Sequence, residues 1–198
     1  MKIKNILFIV EGKNDEPRFI EQLLSKCYPA SSFKIYSYEA NLHMLASRLE
    51  NDYFDFEEDE LDILLFLKSY ETKYKKIFDL KYTDVFLIFD FEPQHPDLHF
   101  DTIQKMIRYF NQSDERGKLF INYPMMQSYR HLKTLPDNVF LQTRLYKQDF
   151  KHYKEIVSNE SFNNDISTYD YTTFVSLAFH HLTKLLFIQN KENRAPTM

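Results

Sequence analysis

The chain has 198 residues, of which 43% are hydrophobic and 17% aromatic, and its formal net charge is −4. This length and composition predict one globular domain and exclude a disordered chain. The negative net charge argues against a protein that binds nucleic acid by itself, because such chains usually carry a basic excess. Binding would need a local basic surface or a partner protein that contacts the phosphates.

The first elements in chain order follow a strand-then-helix pattern. Residues 5–10, "NILFIV", form an apolar run typical of a buried strand. From Asp15 the apolar residues recur at helical spacing, and the acids and proline at 15–17 mark the start of a helix. Residues 33–38 predict a second strand, and residues 42–49 a second helix.

The segment 51–62, "NDYFDFEEDELD", is crowded with acidic residues. A metal-binding loop is one interpretation, but the segment lacks the D-x-D-x-D-G spacing of a calcium loop. We therefore predict a solvated loop whose acids favour the start of the next helix, which apolar residues continue over 61–78.

The second half repeats the alternation. Residues 84–89 predict a buried strand, and residues 103–110 a helix. A turn at Gly117 leads into a strand that ends by residue 124. One more strand is predicted over 138–146, at an edge of the sheet because polar residues interrupt it, and a long helix with a wide apolar face is predicted over 169–190.

Strands that alternate with helices predict an α/β fold with a mostly parallel sheet flanked by helices. We predict a single domain over 1–198, with a core of about 4–146 and a C-terminal helical extension of about 147–190. No apolar stretch approaches the ~20 residues that a membrane span needs. The single cysteine, Cys27, cannot form an intrachain disulfide, which favours the cytoplasm.

Acidic residues follow two of the predicted strands directly. Glu11 follows strand 5–10, and Asp90 and Glu92 follow strand 84–89. If these strands are neighbours, the three carboxylates converge at the edge of the sheet where open α/β folds bind ligands. Their mutual repulsion would raise their pKa values unless a cation compensates. Oxygen ligands of this kind suit Mg²⁺ or Mn²⁺, so the three residues are candidate metal ligands.

The order of these motifs resembles a TOPRIM domain, the Rossmann-like fold of topoisomerases, bacterial primases, small ribonucleases and overcoming-lysogenization-defect nucleases. The family pattern is Glu-Gly after the first strand and Asp-x-Asp after the third, and here Glu11-Gly12 and Asp90-Phe91-Glu92 match it over roughly residues 4–125. Asp15 lies in the turn where relatives often carry an acid.

The resemblance implies a metal-dependent nuclease that cleaves phosphodiester bonds of DNA or RNA. It assigns metal binding to Asp90 and Glu92, and proton transfer or metal binding to Glu11. It further implies an ATPase partner protein and a role in antiphage defence. Gly12 would let substrate or metal approach closely or would adopt a positive φ; the competing explanation is a tight turn.

Two departures from the pattern leave an alternative open. Glu92 is longer than the second Asp of the family, and Gln127 stands near a position where some relatives carry an acid. These changes put a second metal ion in doubt. The alternative is therefore a catalytically eroded domain that acts as an interaction or regulatory subunit. A third reading is a nucleotide- or phosphate-handling enzyme of the doubly wound class.

Basic residues near aromatic ones provide candidates for nucleic-acid contacts. Over 144–154 the chain interleaves Arg144, Lys147, Lys151 and Lys154 with aromatic residues, which favours a phosphate contact, although a solvated helix face is the simpler reading. We add Lys13, beside the Glu-Gly pair.

A zinc site at "PQHPDLH" is the weaker hypothesis for another cluster. His95, Asp97 and His99 follow Asp90 closely, but their spacing is poorly organised for zinc. A proline-bounded loop explains the segment more simply.

Overall fold

A computed structural model describes residues 5–29, 32–70, 75–96 and 98–192. Its four-stranded sheet has the order β2-β1-β3-β4, and every neighbouring pair is parallel. The α/β class predicted from the sequence is thereby confirmed. The strands are β1 (Asn5–Val10), β2 (Ser32–Ser37), β3 (Asp84–Asp90) and β4 (Lys118–Asn122).

Seven α-helices and four short 3₁₀ helices occur in the described residues. The helix predicted over 61–78 is present as two helices, α3 and α4, and residues 71–74 between them lie outside the described residues. The α-helices are α1 (Asp15–Cys27), α2 (Leu42–Asn51), α3 (Ile63–Tyr70), α4 (Lys75–Phe78), α5 (Phe100–Tyr109), α6 (Tyr153–Glu160) and α7 (Tyr171–Glu192). The 3₁₀ helices are Met126–Arg130, Phe140–Gln142, Lys147–His152 and Ile166–Thr168.

The strand predicted over 138–146 is wrong. Phe140–Gln142 is a 3₁₀ helix, and Phe140 is buried in an apolar cluster with the first turns of α7. The N–H of Val139 donates to Oδ1 of Asp137 at 2.9 Å, so a local side chain satisfies a backbone group that a strand would pair with its neighbour. Apolar residues in this segment therefore mark a packing contact and not a sheet.

Helices cover both faces of the sheet because the strands alternate their side chains between the faces. Leu7 and Leu87 lie in the core formed with α2, α3 and α5. Val10 and Ile88 face the opposite side, where they pack with Ile20 of α1. The two central strands, β1 and β3, thus pack on both faces, fully buried on the face toward α2, α3 and α5, whereas Phe8, Phe86 and Ile88 on the other face are half-buried.

The long C-terminal helix α7 is only partly covered. Phe174 and Leu177 are buried in a cluster that includes residues of α1, whereas other apolar residues of the predicted wide face are exposed. The exposed members are Val175, Ala178, Leu182, Leu185 and Leu186. Within the described part of the chain, no helix combines the length and the apolar character that crossing a membrane requires.

The structure of the acid-rich segment 51–62 supports the prediction of a solvated loop whose acids favour the start of the next helix. Oδ1 of Asp62 accepts the N–H groups of Leu64 at 2.8 Å and Leu65 at 3.1 Å, which satisfies free donors at the start of α3. An open groove of about 1370 Å³, which also carries Lys105 and Arg108, is lined by the acids Asp55, Glu57, Glu58, Asp59, Glu60 and Asp62.

Candidate carboxylate site

Glu11 and Asp90 meet at the carboxyl ends of β1 and β3. The two strands are direct neighbours, with Val10 opposite Ile88, so the residues that follow them share one edge of the sheet. The backbone N–H of Asp90 donates to Oε2 of Glu11 at 3.1 Å. The predicted adjacency of the two strands is thereby confirmed, and the contact joins the carboxyl group of Glu11 to the backbone of Asp90.

The side chain of Asp90 is held from the next strand. Its Oδ1 accepts Nδ2 of Asn122 at 3.1 Å and the N–H of Met126 at 2.7 Å. Asn122 is the β4 residue paired with Asp90 in the register, and Met126 begins the following 3₁₀ helix. Because both contacts use Oδ1, the orientation of the carboxyl group is fixed while Oδ2 keeps its ligand-binding capacity.

Burial gives both acids unusual pKa values. The pKa of Glu11 is raised to about 8: burial is the largest cause, the hydrogen bond from the Asp90 N–H lowers it, and repulsion from Asp90, Glu92 and Glu16 makes smaller upward contributions. Burial likewise raises the pKa of Asp90 to about 6. The repulsion predicted from the sequence is therefore present, but loss of hydration is the larger cause.

Glu16 belongs to this site and was not among the predicted residues. It lies in the first turn of α1 but is only 7% exposed, and burial raises its pKa. A Cβ added to Gly12 would lie 2.5 Å from Oε2 of Glu16, so the glycine leaves room for this carboxyl group. Gly12 does not have a positive φ, which makes that part of its predicted role wrong.

No sequence signal separates Glu16 from an ordinary acid in a first helical turn. Such acids are common because they interact favourably with the positive end of the helix dipole. Its burial depends on the way α1 packs against the sheet.

Glu92 occupies the turn after β3 with a positive φ of 46°. Its N–H donates to the carbonyl of Pro124 at 3.0 Å, and its carbonyl accepts the N–H of His95 at 2.8 Å. Its carboxylate contributes to the repulsion at Glu11. In the ranges 5–29, 32–70, 75–96 and 98–192, no group of three or more His, Cys, Asp or Glu residues is arranged to hold a metal ion.

The donor chemistry nevertheless fits a hard cation. Glu11, Asp90 and Glu16 offer only oxygen atoms, and two of these side chains are almost fully buried. Carboxyl groups with raised pKa values gain from a nearby positive charge, and oxygen ligands suit Mg²⁺ and Mn²⁺. Metal binding by Glu11, Asp90 and Glu92 stays a prediction.

The residues predicted to contact nucleic acid differ from one another in their surroundings. Nζ of Lys13 pairs with Oε2 of Glu39 at 2.6 Å. Arg144, Lys147 and Lys151 are exposed, and the last two lie in a 3₁₀ helix that leads into α6.

Lys154, in the first turn of α6, acts electrostatically on the carboxylates. Its positive charge lowers the pKa of both Asp90 and Glu16, against the larger effect of burial. It is therefore the basic residue of the predicted 144–154 stretch whose charge reaches the site.

An open cleft lies beside Glu11. Its volume is about 410 Å³, and Glu11, Gly12 and Lys13 form one wall while residues at the start of α2 form the other. We call it the Glu11 cleft; the second wall consists of Glu39, Ala40, Asn41 and Met44.

The histidines next to the site form a separate cluster. The ring of His95 stacks on that of His43 with centroids 4.2 Å apart, and Nδ1 of His99 lies 2.9 Å from Oε2 of Glu50. Asp97 of the zinc hypothesis lies outside the described residues.

Comparison of the chain with protein-family models, with curated proteins and with solved structures gives no match. The residues of the carboxylate site are therefore what indicates a function for this protein.

Proposed function

We propose that the protein is a metal-dependent nuclease of the TOPRIM type that cleaves phosphodiester bonds in RNA or DNA. The observation that supports this most directly is the contact between Glu11 and Asp90 at the carboxyl ends of adjacent parallel strands, in a buried cluster of acids. The order of the Glu-Gly and Asp-x-Glu motifs supports the same class. Asp90, with Glu11 and Glu92, would hold Mg²⁺ or Mn²⁺.

The residues of the chain suit in-line displacement at phosphorus. A bound divalent cation would neutralise charge on the phosphoryl oxygens. Asp90 is held ready for such a ligand by Asn122 and Met126. Glu11, with a pKa of about 8, can exchange a proton near neutral pH. If Glu11 transfers a proton instead of binding the ion, Oε1 is the atom that would take the proton of an attacking water, since Oε2 accepts the N–H of Asp90.

The contacts with the phosphates of a polyanionic substrate would come from Lys154 beside the site and from the exposed Arg144, Lys147 and Lys151. Since the net charge is −4, these contacts are few. We therefore include an ATPase partner and antiphage defence in the proposal, as the resemblance implies.

Replacing Asp90 by Asn tests the function. The amide keeps an oxygen that can accept from Asn122 and Met126, but it removes the negative charge. We expect at least about a 100-fold loss of Mg²⁺-dependent cleavage, since several kcal/mol of transition-state stabilisation disappear. Asp101→Asn, which changes an exposed acid of α5, serves as the matched control. Equal cleavage by wild type and Asp90→Asn, with both folded, would refute the assignment.

The eroded-subunit alternative has one observation in its favour. Gln127 donates Nε2 to Oδ2 of Asp15 at 2.9 Å, so an amide stands beside the carboxylates where the resemblance leads us to expect an acid. Such a subunit would show no metal-dependent rise in melting temperature, and Asp90→Asn would change nothing in that titration.

A further inference from the structure

A second, smaller cavity shares no lining residue with the Glu11 cleft. It has a volume of about 40 Å³ and is lined by residues of α1, of the 3₁₀ helix Met126–Arg130 and of the loop before the last 3₁₀ helix. Met126 lines it and also donates its N–H to Asp90, which places the cavity next to the carboxylate site. We call it the Gln127 cavity.

Two polar groups in this cavity have no partner among the described residues. One is Oε1 of Gln127, a hydrogen-bond acceptor on a side chain that is only 4% exposed, and the other is Nε of Arg130, a donor. Buried polar atoms without partners are uncommon because each costs about 1–3 kcal/mol. Such a pair is therefore suited to a small polar group that can both donate and accept, such as a water or a hydroxyl group.

Both groups are held in place by their remaining contacts. Nε2 of Gln127 donates to Asp15, which makes the oxygen the atom left for a ligand. Nη1 of Arg130 donates to the carbonyl of Asn164 at 3.0 Å, which leaves Nε. Side chains three residues apart eclipse each other along a 3₁₀ helix, so Gln127 and Arg130 lie on the same face.

The polarity of the two groups restricts the ligand. A phosphate oxygen would accept from Nε of Arg130 but would leave Oε1 of Gln127 unsatisfied; the other charged residues of the lining, Asp15 and Arg18, carry opposite charges and do not decide between an anion and a cation. An ammonium group would donate to Oε1 of Gln127 but, having no acceptor, would leave Nε of Arg130 unsatisfied. A hydroxyl group satisfies both, because it accepts from Arg130 and donates to Gln127. The volume accommodates a group of that size, since one water needs about 10–15 Å³.

We propose that the Gln127 cavity binds the ribose 2′-hydroxyl of an RNA strand and so selects RNA over DNA. This inference depends on the proposed function, because it takes the substrate to be a nucleic acid bound beside Asp90. The 2′-hydroxyl is the group that distinguishes the two polymers and is both donor and acceptor. The cavity would then define the substrate class of the neighbouring carboxylates.

The test is a comparison of dissociation constants for one oligoribonucleotide and its 2′-deoxy counterpart, measured by fluorescence anisotropy in EDTA so that no cleavage occurs. We expect wild type to prefer RNA by about 2- to 10-fold, the factor that one ordinary hydrogen bond contributes. Gln127→Met and Arg130→Lys should each bring the ratio close to 1. Gln142→Met makes the same change at an exposed position and should retain the wild-type ratio.

A ratio near 1 in folded wild type, or the wild-type ratio in both cavity variants, would overturn the proposal and leave water as the occupant of the cavity. Failure of the nuclease function gives a different result: RNA would be bound in preference to DNA, yet Mg²⁺ would produce no cleavage. Conversely, cleavage that depends on Asp90 with equal affinity for RNA and DNA would refute only the hydroxyl site.

Discussion

Replacing Glu11 by Gln should stabilise the metal-free protein at pH 8. Burial raises the pKa of this carboxyl group from 4.5 to about 8, so ionising it in the folded state is unfavourable. The amide removes that charge and keeps an oxygen to accept the N–H of Asp90. If the Glu11 carboxyl group is buried, its replacement by an amide stabilises the protein even though the position is a predicted catalytic one. The same replacement of a solvent-exposed acid beside a helix would not stabilise the protein.

The size of the effect follows from the pKa change. At about 1.36 kcal/mol for each pKa unit, the full shift corresponds to at most about 5 kcal/mol. Because Glu11 is only partly buried, water screens the charge, and we expect about 2 kcal/mol. For a chain of this length that is a rise in melting temperature of about 4–8 °C.

The sign of the pH dependence is specific. The folded pKa lies above the unfolded one, so the stability that the Glu11 carboxyl contributes is fully present below pH 4.5 and is lost as the pH rises to about 8. The advantage of Glu11→Gln should therefore be large at pH 8 and absent near pH 4.5.

Thermal melts in EDTA across this pH range provide the assay. Glu21→Gln, the same change at an exposed position of α1, should leave the melting curve within about 0.5 kcal/mol of wild type. If Glu11→Gln lowered the melting temperature at pH 8, or shifted it equally at both ends of the range, the carboxyl group would not be buried as described and the reasoning would fail. Addition of Mg²⁺ should stabilise wild type more than the variant.

Two further predictions concern the site and the fold. Lys154→Met should weaken nucleic-acid binding and reduce the slope of log Kd against log salt by about 1, because one phosphate contact is removed; an unchanged slope would show that Lys154 does not contact the substrate. Gly117→Ala should destabilise the protein by roughly 1–3 kcal/mol in denaturant titrations, since Gly117 has a φ of +86° and a Cβ would lie 2.9 Å from Cδ1 of Leu87; wild-type stability would contradict this.

Periodicity identified the sheet because the central strands pack on both faces. The apolar runs at 5–10 and 84–89 correspond to the two central strands, β1 and β3. At 138–146, similar apolar residues pack against α7 without a strand neighbour. The sequence does not distinguish these cases, since the periodicity of a segment does not show whether a hydrogen-bonding partner lies beside it.

The acidic residues of the site also divide into those that the sequence predicts and one that it does not. Glu11 and Asp90 could be predicted because each follows a buried strand directly, and the carboxyl ends of parallel strands share an edge. Glu16 could not, because its burial depends on how α1 docks and on the space that Gly12 leaves.

The sequence alone thus determined the α/β class and the two acids that meet at the edge of the sheet, because short-range patterns encode both. The tertiary structure decided the environment of those acids: the desolvation that raises their pKa values, the orientation of Asp90 by Asn122 and Met126, and the cavity between Gln127 and Arg130. These properties arise between segments far apart in the chain, and burial is a property of the whole packed molecule that no local pattern specifies.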